Sequence, residues 1–366
     1  MRTIFQLSIL FLAVLMAGCG GNGGGNTASD VTYIEMSGIK YPEIPDGATV
    51  KMSKSNFPKG KILSYEQIPI KGLEIINREL DLLMTDEYII IKHLEFRKGA
   101  YLVHVVSKKE HRVIAELAPF GEGPNEFYDV RLIQTEEKDK ICYVLNLHNK
   151  RIYALTENLE LYPSGNVVNN HNDSIIRCYH SKDLFIGKDL LMTEFDSSEG
   201  AGIVSVNQKD STVTGILPLN FIEGVSGTFY YFDFTHSFRK RRCAISFLYH
   251  DRIGFFDFDG RNPKFIRFGE NTLRSVTSPD NPIYYYSCFS NDNYVFAVYR
   301  PSMRDTEKDL ETFLEQYDWN GNLIARYELP ADRGFFGGYA TNESDKVIYL
   351  VDIYEDQFLH RVTLEW

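Results

Sequence analysis

The sequence repeats one short pattern five times, and the spacing of that pattern constrains the fold more than any other feature. Each repeat is a β-rich run, a polar turn and a second β-rich run, with turns near Ser107, Thr156, Asn207, Asp259 and Asn320. Successive turns are 49, 51, 52 and 61 residues apart. A period of about 50 residues with four strands per unit is typical of β-propellers, whose units surround a central channel. The sequence therefore predicts an all-β propeller.

The number of blades follows from the last repeat. After the fifth unit, only three candidate strands remain, at residues 337–342, 346–353 and 357–364. An earlier candidate strand, Lys61–Pro69, precedes the first unit and has no partner there. Pairing it beside residues 357–364 completes a blade of four antiparallel strands and removes an exposed sheet edge. We therefore expect one six-bladed domain over residues 41–366, with its ring closed by an N-terminal strand.

Local turn chemistry supports this division into blades. The third and fourth strands of two units are joined by Asp259-Gly260 and Asn320-Gly321, and such pairs favour tight hairpin turns. The fifth interval is about ten residues longer than the others. The excess falls at residues 301–313, where the apolar residues have helix-like spacing. We therefore predict a short helical insertion in the fifth unit.

The N-terminus indicates a targeting segment. Arg2 supplies a positive charge, residues 4–16 are largely apolar, and small residues lead to Cys19. An apolar run of this length is shorter than the roughly 20 residues that a membrane-spanning helix needs. We therefore predict a signal peptide over residues 1–18. The sequence GGNGGGN follows the cysteine, so residues 19–40 are predicted to form a flexible tether.

The four residues Met16-Ala17-Gly18-Cys19 resemble the lipobox of bacterial lipoproteins. The resemblance implies cleavage after Gly18 and acylation of Cys19 with fatty acids such as palmitate, which would anchor the chain in a membrane. Asp after the cysteine usually retains such proteins in the inner membrane, and Gly20 stands there instead. No acidic cluster follows, as it does in some surface-exported lipoproteins. The resemblance therefore implies an outer-membrane lipoprotein facing the periplasm, and an ordinary secretory signal is the alternative.

Charge and cysteine content narrow the classes of partner. The net charge is −11 at pH 7, which disfavours binding to nucleic acid or to anionic lipid headgroups. The basic cluster at residues 239–242 lies between two candidate strands and is predicted to be a solvated turn. Four cysteines besides Cys19 are widely spaced in strand-like runs: Cys142, Cys178, Cys243 and Cys288. This spacing favours positions in the core over a zinc site. A disulfide between Cys142 and Cys178 stays open as an alternative.

A glycine-rich octapeptide, FGEGPNEF, connects the first and second units. Gly121 and Gly123 permit tight backbone geometry, Pro124 fixes φ, and Phe120 and Phe127 bracket the loop as apolar anchors. A strand rather than a helix follows, so the loop is not a dinucleotide-binding motif. The octapeptide resembles the linker of TolB-like and NHL-like six-bladed propeller lipoproteins of Bacteroidota. The resemblance implies the fold and adds little chemistry, because most members have no assigned activity.

No GxSxG, HExxH, P-loop or CxxC motif is present, so the common catalytic signatures are missing from the sequence. Any binding site is then expected at a mouth of the channel, where the inner strands converge. Aspartate and asparagine from several blades could bind Ca²⁺ there, and tyrosine rings could stack on a sugar or peptide. For each residue, turn formation or packing between blades is the structural alternative. The candidates are Glu126, Asp129, His180, Tyr231, Asp233, His236, Asp280, Asn281 and Tyr285.

Two functions follow from these observations. The preferred one is a membrane-tethered, non-catalytic propeller that binds a protein, peptide or glycan at a channel mouth. The alternative is a Ca²⁺-dependent hydrolase or lyase, resembling six-bladed lactonases, with its site in the channel. No cofactor is expected for the first, and metal analysis of the purified protein distinguishes the two.

Overall fold

The computed structural model describes residues 31–73, 81–92, 97, 99–167, 184–222, 231–269, 282–302, 311–330, 334–340, 346–352 and 358–365. Residues Thr32–Trp366 belong to one compact unit. Four strands precede the first blade: β1 (Tyr33–Met36), β2 (Ile39–Pro42), β3 (Thr49–Lys51) and β4 (Lys61–Pro69). In the described ranges, no helix has the length and hydropathy needed to cross a membrane.

Six antiparallel blades of four strands follow, and in the first five the strands are in sequence order. Blade 1 contains β5 (Asp81–Met84), β6 (Tyr88–Lys92), β7 (Tyr101–Ser107) and β8 (Arg112–Pro119). Blade 2 contains β9 (Val130–Ile133), β10 (Lys140–Asn146), β11 (Arg151–Thr156) and β12 (Leu161–Asn166). Blade 3 contains β13 (Leu184–Ile186), β14 (Leu190–Ser197), β15 (Gly200–Asn207) and β16 (Val213–Pro218).

Blades 4 and 5 have the same order, and blade 6 takes its fourth strand from the segment before blade 1. Blade 4 contains β17 (Phe232–Ser237), β18 (Arg242–Phe247), β19 (Arg252–Asp257) and β20 (Lys264–Arg267). Blade 5 contains β21 (Ile283–Ser290), β22 (Tyr294–Ser302), β23 (Thr312–Asp318) and β24 (Leu323–Leu329). Blade 6 contains β25 (Phe335–Ala340), β26 (Val347–Asp352) and β27 (Phe358–Glu365), and β4 is its fourth strand. The predicted six-bladed propeller is therefore confirmed.

Ring closure also occurs as the sequence predicted. Strand β4 runs antiparallel to β27, with Lys61 opposite Glu365 and Pro69 opposite Phe358. Val362 and Leu364 of β27 are fully buried beneath this pairing. The N-terminal strand therefore covers an edge that would otherwise expose apolar side chains and unpaired backbone groups.

Two segments bear on the sequence predictions of a helical insertion and a flexible tether. Strands β22 and β23 extend into both ends of the helical insertion predicted at 301–313, and residues 303–310 lie outside the described ranges. The tether predicted over residues 19–40 overlaps the β1–β2 hairpin, which begins at Tyr33. This hairpin packs on the propeller, because Met36 and Tyr41 are buried among side chains of blades 2 and 3.

The hydrophobic core lies between the blades. Six clusters of buried side chains each combine residues from two neighbouring blades, because alternate residues of a strand face opposite sides of its sheet. Cys142, Cys243 and Cys288 are buried members of three of these clusters, as the sequence predicted for core cysteines. The ring is thus held together by contacts between sheets rather than by a single central core.

Residues 33–73 form a strap along the outer edges of five consecutive blades. Strand β2 packs beside β16 of blade 3, and β3 pairs in parallel with β20 of blade 4. Lys59 then bridges to Arg326 of blade 5, β4 pairs in blade 6, and Lys71 bridges to Arg112 of blade 1. The strap therefore covers outer strands that would otherwise be available for pairing with another chain.

The first strand of each blade is the inner strand, because first strands contact one another in five pairs of neighbouring blades. The strands within a blade are antiparallel. The starts of the first and third strands, and the turn between the second and third, therefore lie at one end of the ring. We call this end the top face and the opposite end the bottom face.

Candidate functional site

The glycine-rich loop predicted from FGEGPNEF is closed by its own glutamate. Glu126 accepts a hydrogen bond from the backbone N–H of Gly123 at 2.7 Å, and the Gly121 N–H donates to the carbonyl of Phe127 at 3.0 Å. A Cβ at Gly121 would collide with the Glu126 carboxylate. Glu126, a predicted site residue, therefore lies at the top face, where it holds the loop between blades 1 and 2.

Beside this loop, three rings form a partly exposed row that we call the aromatic shelf. The Tyr128 ring lies 5.5 Å from that of Phe120 and 6.4 Å from that of His148. Tyr128 is 45% exposed and His148 is also exposed. A tyrosine with an accessible face and a hydroxyl group suits contacts with ligands that have both apolar and polar surfaces.

Asp129 lies next to the shelf in a salt bridge. Its carboxylate is 3.1 Å from Lys92 Nζ and also accepts a hydrogen bond from the Val130 N–H at 2.7 Å. The Asp129 carbonyl accepts from the Leu147 N–H at 3.0 Å, which fixes the turn that carries His148. This predicted site residue therefore combines a charge at the top face with support for the shelf.

Blade 4 carries three further predicted residues, Tyr231, Asp233 and His236, which do not form one site. The Tyr231 ring is partly exposed and lies 5.3 Å from that of Tyr249, in an edge-on contact. Asp233 accepts a hydrogen bond from the Cys288 N–H at 3.1 Å and so links the inner strands of blades 4 and 5. His180, Asp280 and Asn281 lie outside the described residues.

His236 is buried near the bottom face. Its ring lies 4.6 Å from that of Phe238 and 6.2 Å from that of Phe258. Burial lowers the pKa of His236 to about 4, because a charged imidazole would lose its hydration there. Its Nε2 has no hydrogen-bond partner among the described residues. His236 therefore packs against two rings, in keeping with the structural alternative of packing rather than ligand binding.

Tyr285 lies in a cage around a lysine that the sequence did not single out. It is 1% exposed, so it offers no stacking surface to a ligand in solution. Its hydroxyl is 2.7 Å from Lys54 Nζ, which reaches this position from the strap. We call the surrounding side chains the lysine cage: Asp251, Phe268, Tyr285, Tyr299 and Glu315.

Oxygen atoms and rings share the contacts to Lys54. Its Nζ lies 2.8 Å from a Glu315 oxygen and 3.1 Å from an Asp251 oxygen. It also lies 3.6 Å from the centre of the Tyr299 ring and 3.8 Å from that of Phe268. Rings at these distances attract a cation through the negative face of the π system.

The charges of the cage are balanced. Glu315 is fully buried, and its carboxylate faces both Lys54 and Arg326, whose Nε is 3.3 Å away. Burial lowers the pKa of Lys54, and the two neighbouring carboxylates oppose that shift. Burial likewise raises the pKa of Asp251, against the effect of Lys54. Two carboxylates and two cationic side chains therefore meet between blades 4 and 5.

Sequence reasoning missed the central members of this cage. Glu315 lies within a strand of otherwise largely buried residues, and an acidic residue in such a run is a usable signal of a buried charge. Lys54 lies in a short polar segment before the first unit, and nothing local distinguishes it from other lysines. Among the described residues, no group of three or more His, Cys, Asp or Glu side chains is placed to hold a metal ion.

Comparison with known proteins supports the fold and gives no information on the activity. No protein-family model and no curated protein sequence matches this chain. A solved structure of a DUF4221 family member from Bacteroides vulgatus is similar, with a TM-score of 0.58 and 12% identity, over 85% of this chain and 99% of that chain. A protein from Bacteroides fragilis that is described as exported has a TM-score of 0.53 and 10% identity, over 87% and 99% of the two chains. The chain is thus a six-bladed β-propeller whose fold is similar to those of these two Bacteroides proteins.

Proposed function

We propose that this chain is an envelope lipoprotein of the TolB-like and NHL-like propeller type, which binds a glycan at the top face without catalysing a reaction. The aromatic shelf of Phe120, Tyr128 and His148 is the observation that carries the proposal. Protein and peptide ligands are the other classes that a channel mouth of this kind could bind, and the experiment below separates them from glycans.

The shelf combines the groups that sugar recognition needs. A sugar ring has an apolar face, which can lie on the exposed face of Tyr128. It also has hydroxyl groups, which can exchange hydrogen bonds with a tyrosine hydroxyl and with the Lys92–Asp129 ion pair beside it. The ion pair and the loop closed by Glu126 hold the shelf in place before a ligand arrives, which lowers the entropic cost of binding.

The membrane anchor is a separate part of the proposal. Acylation of Cys19 in the outer membrane, with the propeller in the periplasm, is supported by the lipobox-like sequence and by Gly20 after the cysteine. Labelling of cells with a palmitate analogue tests it. The wild-type protein is expected to take up label and to sediment with membranes, and the Cys19→Ser variant is expected to lose the label.

Glycan binding is tested with the full-length protein in detergent, a glycan library and a peptide library. Wild type is expected to bind a defined set of glycans, and Tyr128→Ala is expected to bind them at least about tenfold more weakly, the effect of about 1.4 kcal/mol. Tyr162→Ala is the matched control, because Tyr162 is 47% exposed but lies on the outer strand of the same blade.

Three results would contradict the proposal. The first is equal glycan affinity for Tyr128→Ala and wild type, and the second is the same loss in the control. The third is binding to the peptide library alone, which would transfer the site to a different ligand class. Thermal unfolding of both variants confirms that each is folded before binding is measured.

A further inference from the structure

The lysine cage has the geometry of a ligand site that is already filled. Its occupant belongs to the strap, on a single 3-10 turn, Lys54–Asn56, which is capped by Ser53 and Asn56. Its walls belong to the ring, on blades 4 and 5. The cage therefore has two separable parts, a binding pocket and a side chain that is delivered to it by the N-terminal strap.

The oxygen atoms of the pocket match the donors of a primary ammonium group. An –NH₃⁺ group has three N–H donors. Lys54 Nζ donates to three oxygen atoms, namely the Tyr285 hydroxyl at 2.7 Å and the two Glu315 carboxylate oxygens at 2.8 and 2.9 Å. An Asp251 oxygen at 3.1 Å adds an ion pair. A quaternary ammonium group has no N–H to donate, and a planar guanidinium group is wider than the single atom that these oxygens surround.

The walls are held in place by one another as well as by Lys54. The hydroxyl groups of Tyr285 and Tyr317 donate to Glu315 at 2.9 and 2.7 Å. The Tyr299 hydroxyl donates to Asp251 at 3.4 Å. These hydrogen bonds do not involve the lysine, so the pocket is expected to keep its shape when the lysine side chain is removed.

Charge gives the empty pocket a strong preference for a cation. With Lys54 present, two carboxylates face two cationic side chains, and Arg326 is the second cation. Without the lysine, Asp251 and Glu315 are left with Arg326 alone. A buried charge without its partner is strongly destabilising, so a cation that enters the pocket recovers part of the lost stability.

We propose that the lysine cage is a binding site for primary alkylammonium groups, and that Lys54 occupies it within the same chain. The site is distinct from the aromatic shelf, which lies between blades 1 and 2. Its ligand class is a linear alkyl chain that ends in –NH₃⁺, as in a lysine side chain or a small alkylamine. The occupied site fastens the strap to blades 4 and 5.

The test is chemical rescue of full-length Lys54→Ala. This substitution removes three methylene groups and the ammonium group, which together correspond to n-propylammonium. Thermal unfolding of the variant is followed against increasing n-propylammonium chloride at constant ionic strength. The melting temperature is expected to fall in the variant and to rise again saturably, recovering at least about half of the loss because a ligand that binds only the folded state stabilises it.

A half-maximal effect at about 1–10 mM is expected, since such a dissociation constant lies well within the affinity limit for four non-hydrogen atoms. Propan-1-ol, tetramethylammonium and guanidinium at equal concentrations are expected to give no saturable rise. Lys61→Ala is the matched control on the same strap, because the Lys61 side chain is 75% exposed, and neither its melting temperature nor its response to the amine is expected to change.

Several outcomes would overturn the proposal. They are no saturable response to n-propylammonium, an equal response to propan-1-ol or tetramethylammonium, or rescue that persists in Lys54→Ala/Glu315→Gln. If Lys54→Ala is unfolded on its own, it is refolded from urea with and without the amine. Folding that depends on n-propylammonium supports the site, and failure to fold in both conditions refutes it.

Discussion

Stability of this propeller is expected to fall in mild acid, and replacement of His236 by phenylalanine is expected to remove part of that loss. His236 is 8% exposed and lies among the rings of Phe238 and Phe258. Burial lowers its pKa from 6.5 to about 4 in the folded protein. The unfolded chain therefore binds a proton at pH values where the folded chain does not, and this difference favours unfolding as the pH falls.

The magnitude follows from the two pKa values. One pKa unit corresponds to about 1.4 kcal/mol, so a titration between 6.5 and 4 costs about 2 kcal/mol from pH 7 to pH 5. The loss reaches about 3 kcal/mol at pH 4 and begins to level off below that, where the folded protein also binds the proton. Above pH 7 the contribution is fully present and does not change.

The assay is equilibrium urea unfolding, followed by circular dichroism at pH 8, 7, 6 and 5. His236→Phe keeps a ring in contact with Phe238 and removes the only titrating group at this position. It is expected to lose about 2 kcal/mol less than wild type between pH 7 and pH 5. The two proteins are expected to show parallel behaviour between pH 8 and pH 7, which serves as the internal control. Equal losses in both proteins down to pH 5 would show that His236 is not kept neutral by its surroundings.

Two further predictions test ring closure and the packing of the outer edges. Leu364→Ala, at a fully buried position beneath β4, is expected to cost about 2–5 kcal/mol in urea unfolding. Leu63→Ala on β4, at a side chain that is 51% exposed, should change stability by less than about 0.5 kcal/mol, and similar effects of the two would argue against the closed ring. Gly260→Ala is expected to cost at least about 3 kcal/mol, because φ is +80° and a Cβ would collide with the carbonyl of Ile216. Gly38→Ala has a similar φ of +78° with open space around it, so a loss of only about 1–2 kcal/mol is expected, and an equal loss at Gly260 would refute the collision.

Much of the fold could be predicted because its signals are local. The Asp259-Gly260 pair predicts a hairpin turn because these residues tolerate positive φ, and Gly260 has a φ of +80°. The partner of Lys61–Pro69 follows from a count of strands. The last blade lacks a fourth strand, and Lys61–Pro69 is the one candidate strand without a blade, so the two pair when the ring closes. Both inferences use only alternation, turn residues and the period of the repeat.

The candidate site was predicted less well, because the type of a residue does not determine whether its side chain is exposed or buried. Glu126 and Asp129 lie at the top face, and the exposed aromatic residue near them is Tyr128, which the sequence did not single out. Tyr285 was predicted as a stacking surface and is instead a buried wall of the lysine cage. Adjacent tyrosines in a strand look alike in sequence, and only their position relative to the next blade decides which is exposed.

The sequence by itself determined the repeat, the number of blades and the strand that closes the ring, because each depends on patterns within about 50 residues or on a count of such patterns. Only the tertiary structure decided the path of the strap along five blades and the burial of Lys54. Its partner Glu315 is 261 positions away in the sequence. A lysine that is buried against two carboxylates has the same local sequence as one on the surface, since the charges that make its burial tolerable come from distant strands.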